Sequence, residues 1–68
     1  MAIAVTVNGE PQHVPEGTSV AALLKQMNVS AEGVAVEVNA EVVRKARHTE
    51  VTLHNGDHIE IVTFVGGG

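Results

Sequence analysis

One stretch of this chain repeats its apolar residues with the period of a helix: Val20, Leu23, Leu24 and Met27 stand at i, i+3, i+4 and i+7. The segment runs from Ser19 to near Asn28, roughly ten residues, which is too short to persist alone in water. Its apolar stripe must therefore lie on another element. Pro15-Glu16-Gly17 breaks the preceding pattern, and Thr18 is placed to serve as the N-cap. The flanking segments read with period two, so the helix has a sheet to lie on. A two-layer α+β fold is what satisfies both.

Ile3, Val5 and Val7 alternate with Ala2, Ala4 and Thr6, which predicts a strand over 2–7 with one buried face. Asn8-Gly9 follows directly and signals a tight hairpin, because both residues tolerate positive φ. A short second strand is expected over 12–14, and Pro11 beside it suits an edge position. After the helix, Ser30 to Gly33 reads as a loop, and Val34, Val36 and Val38 alternate with Ala35 and Glu37 as a third strand. Asn39-Ala40-Glu41 turns the chain and Val42-Val43 pairs briefly with that strand. The polar stretch 44–50 is left without an element. Val51-Thr52-Leu53 leads into a turn at His54-Asn55-Gly56-Asp57.

The last strand, 59–65, opens as Ile59-Glu60-Ile61 and continues as Val62-Thr63-Phe64-Val65, apolar on both faces. Such a run is expected of a strand with neighbours on both edges, so it is placed centrally. The sum is a small mixed sheet covered on one face by a single helix. If the first and third strands run parallel, the connection through the helix is a right-handed crossover.

A chain of 68 residues holds one domain, read here as residues 1–65 followed by a glycine tail at 66–68. At this size only about 60% of the unfolded chain's surface is buried, which leaves no room for a deep catalytic cleft and argues against an independent enzyme. Phe64 is the one aromatic residue in a chain that is 44% hydrophobic, so the core must be aliphatic. The net charge of −4 has the wrong sign for a nucleic acid or an anionic membrane surface and suits a positively charged protein partner. Without cysteine there is no disulfide, redox thiol or cysteine-held metal. Residues 1–10 carry no basic start to an apolar run, and no apolar stretch approaches the roughly 18 residues of a membrane span, so a cytoplasmic location is expected.

The polar side chains offer little chemistry of their own. His54 and His58 are four apart, but the turn signal between them removes the helical spacing a metal pair would need; with His13 and His48 they read as solvated surface histidines, and no metal site is expected. Arg44, Lys45 and Arg47 read as a solvated loop. Glu37, Glu41 and Glu60 form either an acidic surface for an arginine-lined partner or a plain wet face. No nucleophile–base set and no phosphate-cradling loop is present.

The chain closes on Gly66-Gly67-Gly68 directly after the apolar strand. Glycines there cannot help to pack the strand and lose the most entropy if ordered, which implies a free arm. Three residues reach roughly 10 Å at about 3.3–3.6 Å each. Lacking side chains, the arm suits a narrow channel in another protein, where it presents a carboxylate. Ordering it there costs on the order of 3–6 kcal/mol, so the folded body must supply the docking energy. If Glu60 faces water, Val62 and Phe64 share its face and form an apolar docking pair beside the arm.

In its order and spacing the chain resembles the ubiquitin-like β-grasp sulfur carriers, specifically the ThiS family of thiamin thiazole biosynthesis. The residues that carry the likeness are Asn8-Gly9-Glu10, Gly17-Thr18-Ser19-Val20 with Leu23-Leu24, the run from Val36 to Val43, the run from Asn55 to Val62, and Phe64-Val65-Gly66-Gly67-Gly68. Ala40 stands where such proteins often have glycine, and Arg44 where proline is common. The resemblance implies a protein co-substrate. A ubiquitin-activating-like (ThiF-type) adenylating enzyme would use MgATP to activate the Gly68 carboxylate, a persulfide donor would convert it to a thiocarboxylate, and a thiazole synthase (ThiG-type) would take the sulfur. No cofactor would be bound by the chain itself. The small subunit of molybdopterin synthase, with the same fold and ending, and a non-covalent β-grasp binding module are the alternatives.

Overall fold

The structure is a computed structural model that describes residues 1–64. Strands β1 (Ala2–Val7) and β2 (Glu10–Pro15) are followed by helix α1 (Val20–Gln26), then by β3 (Val34–Val38), β4 (Glu41–Val43) and β5 (His58–Thr63). Single 3₁₀ turns occupy Ala31–Gly33 and Lys45–Arg47. The five strands form one sheet in the order β2-β1-β5-β3-β4.

Asn8 and Gly9 adopt φ of 51° and 83°, which closes the β1–β2 hairpin as its sequence predicts. β2 is longer than expected, because Glu10, Pro11 and Pro15 also pair with β1. Both prolines are tolerated on this edge strand, where a missing N–H can face away from the ladder. The β3–β4 hairpin uses the same turn geometry at Asn39 (φ 52°) and Ala40 (φ 70°). Alanine there accepts a left-handed conformation that glycine would adopt without cost.

The helix starts one residue later than expected. Ser19, not Thr18, is the N-cap, its Oγ accepting from the Ala22 N–H at 3.1 Å. Thr18 is buried and donates its hydroxyl to the Pro15 carbonyl at 2.6 Å, bracing the preceding turn. Val20, Leu23 and Leu24 are fully covered against Val5, Val7, Val14, Val36, Leu53 and Ile59, with Met27 packed at the margin. This aliphatic layer between helix and sheet is the hydrophobic core, and it matches the stripe and the alternating strand residues of the sequence.

The crossover differs from the conditional expectation. β1 runs parallel to β5 and β5 antiparallel to β3, so β1 and β3 run in opposite directions and the parallel pair joins the first strand to the last. β5 is central, as its composition suggests, but for a different reason than two covered faces: α1 covers one face of the sheet, and no element among the described residues covers the other. The strand ends at Thr63, short of the expected 65. Phe64 continues its line for one more bond, its N–H donating to the Gly33 carbonyl at 2.9 Å.

His48 is a correction. It is only 4% exposed, held where the 44–50 segment passes beneath the start of α1. Its carbonyl accepts from the Ala21 N–H at 2.9 Å, and its Nε2 lies 3.1 Å from the Val43 carbonyl oxygen. A carbonyl only accepts, so Nε2 carries the proton. Nδ1 is buried without a partner among the described residues. Around it the basic cluster is solvated as expected, with Lys45 paired to Glu32 and Arg47 to Glu50. No helix among the described residues is long and apolar enough to cross a membrane.

Candidate functional site

The open face of the sheet is built by the alternate residues of β5, β3 and β4. Ile59 is buried against the helix, so Glu60 and Val62 point the other way, and Phe64 follows them. The register then fixes their neighbours. Glu60 stands opposite Glu37, Val62 opposite Ala35, and Glu37 is flanked on its other side by Val42 of β4. Val42 is 69% exposed, Val62 52% and Phe64 64%. Three large apolar side chains thus stand exposed on one small sheet face, an arrangement suited to meeting an apolar surface.

The electrostatics of the face point the same way. Glu37 and Glu60 are directly opposite each other, an arrangement that is unfavourable between like charges on adjacent strands. Among the described residues neither is in a salt bridge; the two pairs present are Lys45–Glu32 and Arg47–Glu50. The face can therefore receive an apolar surface that also brings a cation. Glu41 does not belong to it. It pairs with Val38 and so falls on the other side of the pleat.

The strand that carries this patch is held firmly on both sides. Toward β3 its pairing runs to Thr63 opposite Val34. Toward β1 the ladder stops at Val7 opposite Ile59, and the Asn8 side chain takes over. Its Oδ1 accepts from the Ile61 N–H at 2.7 Å and its Nδ2 donates to the Ile61 carbonyl at 3.1 Å. The start of β5 is fastened likewise by Asn39, whose Oδ1 accepts from the His58 N–H at 2.9 Å and whose Nδ2 donates to Asp57 at 2.9 Å.

Val62 and Phe64 are thus brought together on an exposed, anchored strand end. Gly66, Gly67 and Gly68 lie outside the described residues. Val42 and Glu37 extend the patch in a way that sequence reading missed, since only the register places them beside β5. The histidines do not converge: His13 sits on the β2 edge, His48 in the core, and His58 against the Thr6 hydroxyl at 3.1 Å. Among the described residues no three His, Asp or Glu side chains are grouped to hold a metal ion. A broad cleft between β4 and the 54–57 turn is lined by Arg44, Arg47, Glu41 and Asp57, whose charges balance. Both Asp57 oxygens are already occupied, by Asn39 Nδ2 and the His54 N–H.

Comparison with known proteins assigns the architecture to a family. Residues 4–68 match the ThiS family. The crystal structure of the thiamine biosynthesis protein (ThiS) from Geobacter metallireducens superposes with a TM-score of 0.84 at 39% identity, covering 97% of this chain and 100% of that one. The sulfur carrier protein ThiS of Thermus thermophilus is 36% identical over 64 residues, 94% of this chain and 98% of the relative. A thiazole synthase of Paramagnetospirillum magneticum is 41% identical over 64 residues, 94% of this chain. The chain spans only 20% of the length of that synthase.

Proposed function

Because the chain belongs to the ThiS family of sulfur carriers, we propose that it acts as a protein co-substrate that carries sulfur as a thiocarboxylate on Gly68. What most supports this reading is that the family match runs through the closing glycines, in a chain whose last described strand ends in an exposed apolar patch. The patch formed by Val62 and Phe64, with Val42, Glu37 and Glu60, docks the partner. The glycine arm then reaches the partner's catalytic centre, and Glu37 and Glu60, neither in a salt bridge among the described residues, favour a partner that supplies cations.

The chemistry follows from the carboxylate. With an ordinary pKa near 3.3–3.7 it is anionic at neutral pH and repels nucleophiles. In a partner adenylating enzyme of the ubiquitin-activating type, a carboxylate oxygen attacks the α-phosphorus of MgATP and pyrophosphate leaves, giving a mixed anhydride. The terminal sulfur of a persulfide donor attacks the carbonyl carbon and AMP leaves. A thiol reductant cleaves the resulting acyl disulfide to the thiocarboxylate. ATP and magnesium belong to the partner, and this chain binds no cofactor. Lacking cysteine, it offers no side-chain thiol that competes for the sulfur.

The similarity to one fifth of a thiazole synthase chain supports a thiazole synthase as the acceptor and the thiamin branch over molybdopterin synthesis. A cytoplasmic reaction is consistent with the need for ATP. Removing Gly68 tests the proposal: the shortened chain should keep its fold and gain no sulfur when incubated with a ThiF-type adenylating enzyme, MgATP and a persulfide donor. A shortened chain that still gains sulfur by mass spectrometry would refute it. If the full chain gains none, the non-covalent binding module is favoured instead.

A further inference from the structure

β5 is a central strand for only part of its length. Along a strand, successive residues turn their N–H and C=O groups to opposite edges. The observed bonds fix which is which. His58 faces β3, since its carbonyl accepts from the Asn39 N–H at 2.7 Å, and Phe64 faces the same side through Gly33 at 2.9 Å. Ile59 and Ile61 face β1: the Ile59 carbonyl accepts from the Asn8 N–H at 2.8 Å, and Ile61 is bonded by the Asn8 side chain.

Thr63 therefore turns its backbone groups toward the β1 edge as well. There β1 has already left the sheet through the Asn8-Gly9 turn, and the Asn8 amide fills the last rung, at Ile61. No backbone or side-chain group among the described residues bonds Thr63 on that side. The residue is exposed. An open donor and acceptor thus stand in the middle of the sheet, one residue beyond Val62 and one before Phe64, rather than on an outer edge. The outer edge at β2 is guarded by Pro11 and Pro15, as edges that must not pair usually are.

We propose that the Thr63 edge receives an extended segment of the adenylating partner, which adds to the sheet as a strand beside β5 and in line with β1. The inference rests on the docking reading above and adds the mode of recognition: main-chain hydrogen bonds give strand addition its affinity, whatever the side chains. The Asn8 amide sets the register by occupying the rung before.

Thr63→Pro removes an N–H that no described residue uses and keeps the β3-side bonds of Val62 and Phe64. Pyrophosphate release by a ThiF-type adenylating enzyme with MgATP is measured against carrier concentration. The expected result is a KM raised about tenfold with kcat unchanged, the loss of one hydrogen bond with its partner left unpaired. Hydrogen exchange of the Thr63 amide in the wild-type chain gives a second readout that needs no variant: fast exchange alone, protection in the complex. An unchanged KM in a folded variant, or a Thr63 amide that exchanges equally fast in the complex, overturns strand addition. Failure of the wild-type chain to release pyrophosphate overturns the functional reading instead.

Discussion

Asn8 replaces a strand residue with its side chain, and the cost of losing it can be worked out. Its Oδ1 and Nδ2 make two bonds with the backbone of Ile61, at 2.7 and 3.1 Å. At about 0.5–1.5 kcal/mol each, their loss removes about 1–3 kcal/mol. Asn8 also sits at φ 51°, where alanine is disfavoured by about 1–2 kcal/mol. Asn8→Ala should therefore destabilise the domain by about 2–5 kcal/mol, while Asn8→Gly, which loses the same bonds without the φ penalty, should recover about 1–2 kcal/mol of that. Urea unfolding measures both. For a domain this small each kcal/mol moves Tm by about 4–8 °C, so the order of the three proteins is resolvable by heat as well. An alanine variant within about 0.5 kcal/mol of wild type, or one more stable than the glycine variant, would show that the side-chain rung does not hold β5.

Val62→Arg should lower affinity for an adenylating enzyme at least about tenfold, because it puts a cation where the partner is expected to bring one. Stability should stay within about 0.5 kcal/mol, as Val62 is 52% exposed; unchanged affinity in a titration removes the patch from the docking site. Lys45 holds the Glu32 carboxyl below the usual carboxylate range, first through its hydrogen bond and then through its charge. A folded value below the unfolded one means that the pair's contribution is present above the unfolded value and fades as pH falls through the folded one. Lys45→Ala should move the Glu32 titration up toward the ordinary range in an NMR pH series while thermal stability hardly changes; a titration that stays in place contradicts the pairing.

What was legible in the sequence was local. The Val20/Leu23/Leu24/Met27 stripe, the alternation in β1 and β3 and the Asn8-Gly9 turn are set by neighbours a few residues away, and each appears where expected. Boundaries were less legible: Thr18 and Ser19 are both capable caps, and only the burial of Thr18 and its bond to Pro15 decide between them. Long-range closure was not legible. The parallel pairing of β1 with β5 joins residues about fifty positions apart, and the direction of β3 follows from it. The burial of His48 depends on how the 44–50 segment passes under α1, which no local pattern encodes. The exposed pair Val62 and Phe64 followed from parity along one strand, whereas Val42, Glu37 and the open edge at Thr63 required the register between strands.

The central claim is that sulfur is loaded onto the terminal carboxylate of Gly68. Intact mass spectrometry of the full chain, after incubation with a ThiF-type adenylating enzyme, MgATP, a persulfide donor and a thiol reductant, tests it most directly. A gain equal to the difference between one sulfur and one oxygen, located by fragmentation to Gly68, is the result expected. A chain of unchanged mass, or sulfur found on any other residue, would contradict it.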